Sequence, residues 1–63
     1  MNWELYEVWA VDVDGREELV ETTKSMKEAR VIAQTQLELE DCTKCYIYKE
    51  DEEGDLIKVD TIR

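Results

Sequence analysis

The stretch WELYEVWAV, Trp3 to Val11, decides the fold. It alternates at the two-residue period of a β-strand, yet both of its faces are apolar. One face carries Trp3, Leu5, Glu7, Trp9 and Val11, and the other Tyr6, Val8 and Ala10. Such a strand belongs in the middle of a sheet. The chain has to provide cover for at least one side of it.

Two glycines punctuate the rest of the chain. Asp14-Gly15 is a hairpin signal, because Gly accepts a positive φ and Asp tolerates the turn. The second turn, KEDEEGDL, closes on Gly54, expected in the left-handed region. Each Gly follows an acidic loop and precedes a Leu-containing strand, ELVETT or DLIKVDTI, so the two hairpins form a weak pseudo-repeat. Between them Ser25-Met26-Lys27-Glu28 fits a capping box: the Ser hydroxyl accepts the N3 amide and Glu28 reaches back to the cap amide. Met26, Ala29, Ile32, Ala33, Gln36 and Leu37 then recur on one helical face. The helix is expected from Ser25 to Glu40, and the strands at about 2–12, 17–23, 44–50 and 55–62.

The expected fold is therefore α+β with the order β-β-α-β-β. It is a four-stranded antiparallel sheet, with one helix packed on one face, forming a single domain over residues 1–63. The first strand is placed centrally. The Glu- and Thr-rich second strand is placed at an edge.

Glu7 chooses the covered face. A carboxylate beneath the helix needs a buried partner and is costly without one. Tyr6, Val8 and Ala10 are thus expected under the helix, joined by Val20, Cys45, Ile47, Ile57 and Val59. The open face would hold Trp3, Leu5, Trp9, Val11, Tyr46 and Tyr48, with Lys58, Asp60, Leu56 and Ile62 alongside. The competing assignment packs Trp3 and Trp9 under the helix, where Ala29 and Ala33 leave room for them.

Charge and composition bound the function. The chain has 63 residues, with 17 Asp and Glu against 8 Lys and Arg, a formal net charge of −9. That excess repels polyanions, so direct nucleic-acid or anionic-membrane binding is not expected. The N-terminus lacks the basic and apolar regions of a secretory signal, and no apolar run reaches the ~20 residues of a membrane span. A cytoplasmic protein with reduced thiols is expected.

Catalytic and metal chemistry finds little to work with. The chain has no His and only two Cys, Cys42 and Cys45. CTKC supplies half a zinc site, which only pooling of two chains would complete. As a redox pair it sits after an acidic helix C-terminus rather than at the helix N-terminus that lowers a thiol pKa. DVDG and DEEGD miss the calcium-loop spacing. No enzyme activity, metal or cofactor is expected.

The layout, with TTKSMKEAR leading into the helix and YIYKEDEEGDLIKV as the second hairpin, resembles small acidic bacteriophage and prophage proteins. The resemblance is one of style, carries over no site residue, and implies a bacterial cytosol and a binding role. The expected function is a small acidic protein-binding module that forms a homodimer through the aromatic sheet face. The anchors are Trp3, Leu5, Trp9, Val11, Tyr46 and Tyr48. The alternative is an acidic decoy that mimics nucleic acid and blocks a DNA-binding protein. It would act through Glu38, Glu40, Asp41, Glu50, Asp51, Glu52, Glu53 and Asp55.

Overall fold

A computed structural model describes residues 5–39 and 42–63. The elements run β1 (Tyr6–Asp12), β2 (Glu17–Thr23), α1 (Met26–Leu39), β3 (Cys42–Glu50) and β4 (Leu56–Ile62). The four strands form one antiparallel sheet in the order β2-β1-β3-β4, with α1 on one face. The strand read as central is central, and the Glu-rich strand is an edge.

Both hairpins turn by the same device. In Asp12–Arg16 the amide of Gly15 donates to the Asp12 carbonyl at 3.0 Å, and Asp12 Oδ1 accepts the amides of Asp14 and Arg16 at 2.9 Å. In Asp51–Asp55 the amide of Gly54 donates to the Asp51 carbonyl at 3.1 Å, and Asp51 Oδ1 accepts the amides of Glu53 and Asp55 at 2.9 Å. Gly15 and Gly54 take φ of 85° and 88°, a region costly for residues with a Cβ. The pseudo-repeat seen in the sequence is thus a repeated turn, an Asp-initiated bend closed by a left-handed Gly.

The helix starts where the capping signal put it. The Glu28 amide donates to Ser25 Oγ at 3.3 Å. The return half of the box passes through a third residue. Thr23, buried at the end of β2, donates its hydroxyl to Glu28 Oε2 at 2.7 Å and accepts the Ser25 amide at 3.4 Å. One Thr side chain therefore couples the last residue of β2 to the first turn of α1.

The core lies between α1 and the middle strands. Tyr6, Val8, Cys45 and Ile47 from the sheet meet Ala29 and Ala33 from the helix, with Ala10, Val20, Met26, Ile32 and Leu37 packed around them. The small Ala residues let the helix backbone come close to the sheet. This is the face assignment that Glu7 predicted, and Trp9 is not under the helix.

Two expectations for β4 are corrected. Ile57 and Val59, expected beneath the helix, are 51% and 42% exposed. Asp60 and Ile62, expected on the open face, lie opposite Ile47 and Cys45 on the helix side. The cause is a register shift between Ile47/Asp60 and Tyr48/Lys58, which leaves Val59 without a cross-strand partner. An extra residue of this kind reverses the facing of everything beyond it. The helix also lies over β1 and β3 more than over β4. It touches β4 through the Arg30–Asp60 ion pair at 3.3 Å, so Ile57 has no cover.

Candidate functional site: the open aromatic face

The sheet face opposite α1 carries Trp9 on β1 and Tyr46 and Tyr48 on β3. Register places Trp9 opposite Tyr46. The rings meet edge to face: Trp9 and Tyr48 have centroids 6.3 Å apart at 83°, and Tyr46 and Tyr48 are 6.2 Å apart at 80°. This geometry sets the positive edge of one ring against the negative face of the next.

Two lysines complete the cluster. Lys58 Nζ stands 3.6 Å from the centroid of Tyr46 and 5.9 Å from that of Tyr48, and Lys44 Nζ is 5.2 Å from Tyr46. Each is a cation over a ring face within the range where the attraction counts. Lys58 can do this because the Val59 irregularity sets it opposite Tyr48. Lys44 is opposite Val11 on the same side.

The polar atoms of the rings are occupied. Trp9 Nε1 donates to Glu7 Oε1 at 2.9 Å, and the Tyr48 hydroxyl donates to Glu17 Oε1 at 3.2 Å. The Tyr46 hydroxyl is held by Lys44, which lowers its pKa below the ordinary tyrosine value, with the charges of Lys44 and Lys58 adding to the effect. Tyr48 moves the other way, raised first by burial and then by Glu17. Glu7, the residue that chose the face, is therefore also the partner of its Trp.

The expected anchors fare differently. Leu5 precedes β1, half-buried, and its carbonyl accepts the Glu50 amide at 3.0 Å. Trp9, Tyr46 and Tyr48 are half-buried and mutually packed. Val11 shares the row of Trp9 but is only 5% exposed, so it fills space rather than offering a contact. Trp3 lies outside the described residues. Leu19, opposite Trp9 and 45% exposed, extends the apolar surface onto β2 and went unnoticed in the sequence.

The acidic residues do not form one patch. Glu38 is in the last turn of α1, next to the start of β3, whereas Glu50, Asp51, Glu52, Glu53 and Asp55 lie at its far end. The nine residues of β3 separate them, a span of about 26 Å at ~3.3 Å per residue. Glu40 and Asp41 lie outside the described residues. Asp51 is held within its turn.

The two thiols both face the helix. The register shift between Val11/Lys44 and Asp12/Cys42 leaves Thr43 unpaired. Residues three apart therefore turn to the same side. Cys45 Sγ donates to the Ala33 carbonyl and Cys42 Sγ to the Gln36 carbonyl, each at 3.5 Å. Burial, and then the neighbouring Cys42, pushes the Cys45 thiol up to about 11. Cys42 also borders an open cleft of about 430 Å³ between the helix and β2, walled by Ala10, Arg16, Glu18, Val20 and Gln36.

No helix among the described residues is long and apolar enough to cross a membrane. The chain matches no protein-family model, no curated protein and no solved structure.

Proposed function

We propose that this chain is a small protein-binding module whose open sheet face associates with a second copy of itself. The observation that carries the reading is the packed cluster of Trp9, Tyr46 and Tyr48 on the face the helix leaves uncovered. Aromatic residues concentrate binding energy at interfaces.

Charge favours this face for a like partner. A chain of net charge −9 meets its own copy against repulsion. On the open face Lys44 and Lys58 stand among Glu7 and Glu17, so each copy offers cations to the carboxylates of the other. A standard interface takes about 800 Å² from each partner. That is about one-sixth of the 4675 Å² surface of the chain, the order of one whole sheet face. The sequence has no His, which removes Ser-His and Cys-His pairs and favours binding over catalysis.

The test is solution mass by light scattering. The parent chain should be a dimer at low and high salt. Trp9→Ala and Lys58→Glu should each shift it to monomer while far-UV circular dichroism keeps the helix signal. Lys58 is exposed, so that variant keeps its fold even if Trp9→Ala does not. A parent that is monomeric, or a Lys58→Glu variant that stays dimeric, overturns the proposal.

A further inference from the structure

The two edges of the sheet are guarded differently. β2 presents Glu17, Glu18 and Glu21, all exposed, and is bent by a register shift at Val20. Charge and a bulge are the usual protections of an edge. β4 carries a register shift too, at Val59, but on the turn side of it Leu56 and Ile57 are 43% and 51% exposed. Its two charged side chains are engaged within the fold: Lys58 over the Tyr46 ring and Asp60 with Arg30. Lys58 thereby leans inward over β3 rather than out past the edge.

The surroundings of β4 select the partner. Leu56 lies opposite Glu50 and Ile57 opposite Lys49, so the two apolar side chains point to opposite faces of the sheet. Immediately before them comes the turn Asp51–Asp55, in which Glu52, Glu53 and Asp55 are exposed. An incoming strand would thus meet apolar contacts on both faces and negative charge at one end.

We propose that the outer edge of β4, from Leu56 to Lys58, receives an extended peptide segment as a fifth strand. The fitting chemistry alternates apolar with Lys or Arg side chains. Main-chain hydrogen bonds supply affinity in this mode, and side-chain contacts supply selectivity. A second copy of this chain fits less well. Full-length two-fold pairing of β4 would set the Val59 irregularity near its centre, and the copy brings no excess of positive charge. Face-to-face association leaves the sheet edges free, so the two proposals stand or fall separately.

The probe is a synthetic peptide of about eight residues that alternates Val and Lys, added to the parent chain and followed by amide NMR. Two further peptides carry N-methyl groups on the even or on the odd residues. They keep charge and side chains but lose one set of amide donors. The largest shifts and the strongest slowing of amide exchange should fall on Leu56–Lys58. One of the two methylated peptides should bind about tenfold more weakly, as expected for two or so lost hydrogen bonds. Equal binding by all three peptides would mean charge attraction alone and overturn the proposal. So would shifts centred on β2 or on the Trp9 face, or contacts between the β4 strands of two copies in the absence of peptide.

Discussion

Ile47→Val tests the arrangement of the sheet with the smallest possible change. Ile47 is fully buried, opposite Val8 on the helix side. The substitution removes one methylene and leaves the β-branched shape, so strand propensity barely changes. Loss of a buried methylene of this kind costs about 0.5–1.5 kcal/mol. In a domain of this size each kcal/mol lowers Tm by roughly 4–8 °C, so the expected fall is about 2–12 °C. A core this small rarely supplies more than about 3–5 kcal/mol in total, and the single methylene is then a sizeable share of it. The assay is thermal unfolding by circular dichroism at one fixed protein concentration, because self-association raises apparent stability by mass action. A variant that melts within about 1 °C of the parent, below the expected shift, would mean that Ile47 is not under the helix. The face assignment would then be wrong.

Two other outcomes rest on particular residues. Gly15→Ala should lower stability by about 1 kcal/mol, because φ is 85° while an added Cβ meets nothing within 4 Å; a thermal melt unchanged from the parent would contradict the left-handed turn. Cys45 keeps its proton up to about 11 when folded but only to 9.0 when unfolded, so its contribution is complete below pH 9 and lost as pH rises through 11; urea midpoints should fall across that window more steeply in the parent than in Cys45→Ala, and equal slopes would sink the assignment.

Most of the fold was legible because its signals are local. Asp-Gly and the loop closing on Gly54 marked the turns, and Ser25 with Glu28 marked the helix start. Glu7 chose the face through the cost of burying a carboxylate. Most of what escaped is also of one kind. Val20, Thr43 and Val59 each sit at a register shift, and a period of two cannot register an extra residue before the partner strand is known. The shift at Val59 misplaced Val59, Asp60 and Ile62, whereas Ile57 kept its side, opposite Lys49, and lacks cover because the helix lies over β1 and β3. The shift at Thr43 brought Cys42 to the helix side with Cys45, although their odd spacing in an unbroken strand separates them. The site was half legible: the rings and Lys58 could be assigned to the open face, but not Lys44, nor the reach of either lysine over the rings, which depends on rotamer.

A single layer of sheet with a single helix must solve its second face by side chains alone. Here the solution leaves that face ready for burial. Trp9 Nε1 and the Tyr48 hydroxyl already donate to Glu7 and Glu17, so a partner that covers the rings strands neither donor. An unsatisfied buried donor costs about 1–3 kcal/mol, and that penalty is avoided in advance. The burden shifts to the carboxylates. Glu7 and Glu17 lose water when the face closes, and a desolvated carboxylate needs a cation or further donors. Lys44 and Lys58 are within reach of the same rings, and in a paired face those of one copy can meet the acids of the other. An uncharged apolar partner offers no such compensation. The polar rim of the aromatic cluster therefore argues for a partner that brings its own lysines, and a second copy is the simplest one that does.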